Sequence, residues 1–199
     1  MRTRTPEQSS IVWIHIFLGI AFIFSTPQLL RAQAVPAASK TSEVSIFGAY
    51  AHVWPDYGTQ QDNGVIFGAD YTRFVRWFLT PSLELRGKVV SGPVANQRTW
   101  GGGIRGERRL RNFYPYINFL VSSGTITFTH PFIDATGKLY ESDNSIVYSL
   151  GGGVDYDFAS HFAARADYQF EHWNIGTDQS FTPQTLSIGV VYHITAHNR

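Results

Sequence analysis

The chain has 199 residues, enough for one ordinary domain, and its 16 basic and 15 acidic side chains almost cancel, so it lacks the basic excess that nucleic-acid binding needs. It contains no cysteine, which excludes disulfides, cysteine-ligated zinc and thiol catalysis. Charged residues make up only 16% of the chain, less than a soluble surface usually carries, while 18 glycines and 15% aromatic residues are typical of many short strands and turns.

The first 34 residues have the organisation of a secretory signal peptide. Arg2 and Arg4 form a basic start, and an apolar run covers Ile11–Phe24. Residues 32–34, Ala-Gln-Ala, are a small-residue cleavage site, so the predicted cut precedes Val35. A membrane anchor is the alternative, but a helix formed by this run reaches only ~21 Å, against ~30 Å for the hydrocarbon core. We therefore expect export through a cleaved signal peptide.

The rest of the chain reads as one β domain. Residues 35–42 are small and polar, which predicts a flexible lead-in, the barrel domain is predicted at 43–194, and a polar tail covers 195–199. Within the domain, apolar side chains alternate with polar or small ones, which is the pattern of strands with two different faces. The eight predicted strands cover residues 43–53, 64–75, 82–91, 98–108, 114–124, 145–157, 161–172 and 184–194.

The connections between these strands alternate in length. The links after the second, fourth and sixth strands are short, whereas those after the first, fifth and seventh are longer, including a predicted loop of about twenty residues at 125–144. An even number of antiparallel strands with tight turns at one end and longer loops at the other is the asymmetry of outer-membrane barrels. The long loops are the better place for specific recognition, because binding sites tend to lie on loops carried by rigid scaffolds.

The composition of the two faces indicates which one meets lipid. Alternation alone is equally compatible with a soluble, lipocalin-like ligand-binding barrel, which is one alternative. The less apolar face is rich in glycine and serine, which suits the interior of an eight-stranded barrel because that interior is just wide enough to be filled by side chains. Turning this face outward would place Arg165 in lipid, which would destabilise the barrel by ~2–4 kcal/mol if Arg165 lies near the midplane. We therefore predict an all-β, eight-stranded, antiparallel up-and-down transmembrane β-barrel.

Nine charged side chains share the face that is predicted to point inward. Buried charges are costly unless they are paired, so these groups are expected to form salt bridges across the lumen. A self-satisfied polar plug and a gate that passes small ions are both open interpretations. The predicted lumen charge cluster consists of Asp70, Glu84, Arg86, Lys88, Arg105, Glu107, Asp155, Arg165 and Asp167.

Aromatic side chains lie near both ends of the predicted strands, as expected for two interfacial girdles. The girdle at the short-turn end is predicted to contain Phe74, Trp77, Phe78, Tyr114, Phe162 and Tyr192, and the girdle at the loop end Tyr50, Trp54, Trp100, Tyr148, Phe170 and Trp173. One short turn beside these aromatics contains a basic cluster, Arg108, Arg109 and Arg111. They are placed either to meet lipid phosphates on the periplasmic side or to form a solvated turn.

These strands resemble those of a known family. The segments Ser149–Phe158, Phe162–Phe170 and Leu186–Tyr192 are similar to small outer-membrane proteins with an OmpA-like or porin-family eight-stranded β-barrel domain. The resemblance implies a monomer in the outer membrane of a diderm bacterium, in contact with outer-membrane lipid and inserted by the barrel-assembly machinery. We expect no peptidoglycan-binding domain after the barrel, so the resemblance does not extend to a wall-tethering role.

No catalytic, cofactor-binding or metal-ligating residues are predicted. The seven histidines show no HxH or HExxH spacing, so we interpret them as scattered surface or rim residues and not as a metal site. A lipid-modifying enzyme is the rival class, but its outward-facing candidates, Ser91 and His172, lie on predicted strands that are not neighbours. We predict a structural or surface-interaction role, with a charge-plugged narrow lumen that conducts small ions at most, and a loop-binding partner that the sequence does not identify.

Overall fold

The computed structural model describes residues 42–56, 60–75, 78–133, 139–175 and 179–194. The predicted signal peptide, all but the last residue of the predicted lead-in, and the predicted tail lie outside these residues. Within the described ranges, no helix has the length and hydropathy needed to cross a membrane.

Nine strands are present in the described part of the chain. They are β1 Ser42–Trp54, β2 Asp62–Arg73, β3 Thr80–Ser91, β4 Ala95–Glu107, β5 Phe113–Ile133, β6 Leu139–Ala159, β7 Phe162–Ile175, β8 Gln179–Phe181 and β9 Gln184–Ile194. Each long strand pairs antiparallel with its neighbours, β9 pairs with both β7 and β1, and the β6–β7 pairing closes the sheet. The eight long strands therefore form the predicted closed barrel, and β8 adds a short hairpin to β7.

The orientation of the side chains confirms that the barrel is apolar outside and polar inside. On β3, Leu83 and Leu85 are 60% and 65% exposed, whereas Glu84 and Arg86, which alternate with them, are 1% and 7% exposed. Both faces of the first strand consist mostly of apolar or small residues, so its sequence does not show which face points inward. In the structure Phe47 points inward and Ile46 points outward. This arrangement suits a bilayer because the large apolar side chains meet lipid and the charges meet one another.

The connection between β5 and β6 is mostly strand, so the prediction of a long loop at 125–144 is wrong. The β4 ladder on β5 ends at Phe128 and the β7 ladder on β6 ends at Val147, yet β5 and β6 remain paired as far as Ile133 and Leu139. The register shifts between Thr127 and Phe132, where β5 has the extra residues. Alternating threonines in 125–129 favour this extension, because β-branched residues are suited to strands.

The termini of the described barrel mark its turn end. Ser42 begins β1 and Ile194 ends β9, at the same end as the short links that follow β2, β4 and β6. Short turns face the periplasm in outer-membrane barrels and longer loops face outward. The β5–β6 hairpin therefore projects on the extracellular side.

Candidate functional site

The barrel interior is the candidate site, and a cluster of buried apolar side chains, the apolar cap, lies at its loop end. Trp173 is fully buried and stacks on Phe181, with ring centroids 5.2 Å apart and an angle of 22° between the ring planes. Its indole Nε1 donates a 2.9 Å hydrogen bond to Glu171 Oε2, and the other oxygen of Glu171 pairs with Lys88 Nζ. The members of this apolar cap are Ala95, Ile126, Val147, Trp173 and Phe181.

A middle cluster of ion pairs lies around Arg86. Its Nε is 2.6 Å from Glu84 Oε1 and its Nη1 is 2.9 Å from Asp167 Oδ1. Tyr116 Oη donates to Asp167 Oδ2 at 2.7 Å, and Asn118 Nδ2 donates to Glu84 Oε2 at 2.9 Å. The guanidinium of Arg86 is therefore shared between carboxylates on β3 and β7, and it links opposite walls of the barrel.

A lower cluster, nearer the turn end, contains two arginines and two aspartates. Arg165 donates from Nε and Nη2 to the two oxygens of Asp155, and from Nη2 to Asp70 Oδ2, all at 2.8 Å. Arg105 reaches the same aspartates, at 3.1 Å to Asp70 and 2.6 Å to Asp155. The Arg165 guanidinium also lies 4.3 Å from the ring centroid of Phe47. Each carboxylate is thus held by two cations.

Below the lower cluster, the turn end of the lumen opens into a small cavity of about 90 Å³. His193 lies at its wall, where Nδ1 pairs with Glu43 and Nε2 is 3.5 Å from Asp157. The cavity is polar and large enough to hold water. The interior is therefore apolar at the loop end, ion-paired through the middle and open to water near the periplasm.

All nine residues of the predicted lumen charge cluster are buried, and each takes part in at least one salt bridge, although not in one continuous network. Lys88 pairs with Glu171 next to the apolar cap, and the predicted lumen charge cluster did not include Glu171. Glu107 is at the edge of the lower cluster, 3.4 Å from Arg105 Nη2. The sequence did indicate that Glu171 points inward, because it lies on the same face of β7 as Arg165 and Asp167.

The members of the predicted girdles that the structure describes divide into three groups. Phe78, Phe162, Tyr192, Tyr50, Trp54, Trp100, Tyr148 and Phe170 are exposed on the outer face. Phe74 and Tyr114 are half-buried and line the turn-end cavity, and Trp77 lies outside the described residues. Trp173 belongs to the apolar cap, so its assignment to the outer girdle is wrong. Trp173 directly follows the outward-facing His172, so the alternation of side chains along β7 already indicated that Trp173 points inward.

The candidate residues for lipid-modifying chemistry lie apart. Ser91 ends β3 and His172 is on β7, whose sheet neighbours are β6, β8 and β9, so the two side chains do not form a pair. His172 Nε2 instead lies 3.1 Å from Asn174 Oδ1. Among the residues that the structure describes, no group of three or more histidine or acidic side chains has the arrangement of a metal site.

Comparison with known proteins gives a family and a fold. A protein-family profile described as outer membrane protein beta-barrel domain matches residues 27–193. The crystal structure of Neisserial surface protein A has a TM-score of 0.51 at 16% identity, covering 76% of this chain and 96% of that one. Ail, the attachment invasion locus protein of Yersinia pestis, has a TM-score of 0.46 at 15% identity, covering 77% and 97%. Curated proteins give no match. At such identities the structural likeness shows the fold alone.

Proposed function

The chain belongs to the family of outer membrane protein beta-barrel domains, and from that premise we propose that this bacterial outer-membrane barrel has a structural or surface-interaction role and is neither an open pore nor an enzyme. The position of the side chains that are buried in the lumen is the observation that carries the proposal. The apolar cap and the two ion-pair clusters occupy it from the loop end almost to the turn end. Export by a cleaved signal peptide and insertion by the barrel-assembly machinery are parts of the same proposal.

The paired charges explain why the lumen conducts small ions at most. An ion that crosses the barrel has to pass the Arg86 guanidinium, which is held by carboxylates at 2.6 and 2.9 Å. Opening that position leaves charges unpaired in a buried site, which costs several kcal/mol. An eight-stranded barrel is also just wide enough to be filled by its own side chains.

Planar-bilayer recordings test the closed lumen. The wild-type protein, purified from outer membranes, is expected to give no sustained open level. Arg86→Ser removes the side chain that bridges β3 and β7, so it should introduce ion-sized conductance. Arg98→Ser is the matched control, because Arg98 is an exposed arginine on β4. Stable open levels in the wild-type protein would overturn the proposal.

The projecting β5–β6 hairpin supports a surface-interaction role. Beyond Phe128 and Val147 the two strands pair with each other, and hydrogen bonds stiffen the base of the hairpin. Thr125 Oγ1 donates to Asn144 Oδ1 at 2.6 Å, and Ser145 Oγ donates to the Asn174 carbonyl oxygen at 2.6 Å. A rigid hairpin with exposed polar side chains presents a constant surface outside the cell, and such surfaces on rigid scaffolds are suited to recognition.

Site-specific cross-linking in intact cells tests this role. A photoreactive residue replacing His130, which is exposed on the hairpin, should give a discrete macromolecular adduct. The same residue replacing Tyr148, which is exposed on the barrel wall, should label lipid only. Identical products at the two positions, or none at His130, would count against a hairpin-mediated interaction and leave the structural role.

A further inference from the structure

An apolar groove of about 710 Å³ runs over the outer face of the barrel near its turn end. Its walls are exposed apolar side chains of β2 to β6, including Leu83, Ile104 and Phe119. Its floor contains Gly106 and Pro81, which are cross-strand partners and lack long side chains. The groove faces lipid because it lies on the outer face of a membrane barrel, so its occupant there is a lipid chain.

A basic rim lies at the periplasmic end of this groove. Arg73, the last residue of β2, lines the groove itself. The turn between β4 and β5 adds the exposed Arg111. Arg73 and Arg111 are exposed, and neither has an ion-pair partner among the residues that the structure describes.

Two cation–π contacts hold the β4–β5 turn against the β2–β3 connection. The Arg108 guanidinium carbon is 4.5 Å from the ring centroid of Phe78, and that of Arg109 is 4.6 Å from the ring centroid of Phe74. Since Phe74 directly follows Arg73, these contacts bring the turn that carries Arg111 beside the groove end, while Arg109 and Phe74 themselves line the turn-end cavity of the lumen. The arginines of this rim that a phosphate can reach are the exposed Arg73 and Arg111, whose planar forks match phosphate geometry.

We propose that this groove and its basic rim form a binding site for one anionic phospholipid of the periplasmic leaflet. One acyl chain lies in the groove over Gly106, and the phosphate lies at Arg73 and Arg111. The two halves match such a lipid in chemistry and in order, because the apolar groove is toward the membrane interior and the cations are at its periplasmic edge. The site is distinct from the lumen and from the β5–β6 hairpin.

The groove can be filled by mutation without disturbing the barrel. A Cβ at Gly106 would meet only Leu79, at 3.4 and 3.8 Å, which is ordinary contact. Gly106→Leu is therefore the groove-filling variant. Its matched control is Gly48→Leu, on the outer face of β1, where a Cβ meets nothing within 4 Å. Arg73→Gln removes the headgroup contact, and Arg98→Gln is the control at an exposed arginine elsewhere.

Native mass spectrometry tests the site on the full-length protein purified from outer membranes, exchanged into detergent and offered phosphatidylglycerol or phosphatidylcholine. The wild type and both controls should retain one phosphatidylglycerol in preference to phosphatidylcholine. Arg73→Gln should lower phosphatidylglycerol retention about fivefold, the factor that corresponds to ~1 kcal/mol for one basic side chain at an anionic surface. Gly106→Leu should abolish retention of both lipids, and a heat-dependent gel shift confirms that each variant is folded.

The pattern of losses decides the outcome. Loss in both variants with both controls intact supports the site. Loss in Arg73→Gln alone would show headgroup contact at the rim and overturn the groove, whereas loss in Gly106→Leu with no preference between headgroups would overturn the anionic assignment. Equal retention by all five proteins would overturn the proposal entirely.

Discussion

Replacing Arg165 by methionine removes a lumen cation that two aspartates share, while keeping a side chain of similar length. Arg165 makes three hydrogen bonds at 2.8 Å, two to Asp155 and one to Asp70. Its loss leaves two buried aspartates, 4% exposed each, with Arg105 as their nearest remaining cation. The variant therefore carries one uncompensated charge in a buried site.

The expected cost follows from that uncompensated charge. Removing one partner of a buried ion pair destabilises a protein by ~3–5 kcal/mol. Arg105 still contacts both aspartates, and the polar cavity below can hydrate them, so we expect the lower end, ~3 kcal/mol. With a urea dependence of ~2 kcal/mol/M, the unfolding midpoint should fall by ~1.5 M.

Urea unfolding of the refolded protein in detergent micelles measures this shift, with Arg98→Met as the control at an exposed arginine. The double variant Arg165→Met with Asp155→Asn restores the charge balance, leaving Arg105 with Asp70. It should therefore be more stable than Arg165→Met alone. A loss below ~1 kcal/mol, the value of an exposed pair, would refute the reasoning, as would a double variant no more stable than the single one.

Three further predictions concern the cap, the strand contacts and the lipid face. Trp173→Ala should lower the free energy of unfolding by ~3–5 kcal/mol because it empties the apolar cap, while Trp100→Ala on the outer face should cost less in the same urea titration. Gly103→Val should prevent the heat-dependent gel shift of the folded barrel, because a Cβ there would lie 1.9 Å from a backbone oxygen of β5, whereas Gly48→Val should leave the shift intact. Leu85→Arg should cost ~2–4 kcal/mol in vesicles if Leu85 lies near the midplane, and a neutral result would mean that this side of β3 does not face lipid.

The β5–β6 hairpin shows where the alternation of apolar and polar side chains no longer identifies a strand. Inside the bilayer each strand separates an apolar face from a polar one, so its alternation is readable. The projecting part of β5 and β6 has no such difference between its faces, because neither face meets lipid or a lumen. Ser142, which lies beyond the end of the β7 ladder on β6, pairs with Thr127, polar against polar, and the segment reads as a loop until the pairing of the two strands is seen.

The sequence by itself determined the number of long strands, the direction of the faces on seven of those eight strands and the burial of nine charges, because side chains alternate with a period of two and charge is excluded from lipid. The same parity would have placed Trp173 inside. Only the tertiary structure decided which charges meet. Asp70, Asp155 and Arg165 come from three different strands, and Arg165 and Asp70 are 95 positions apart. Their contact depends on the strand register with which the barrel closes, and that register is a property of all eight strands together.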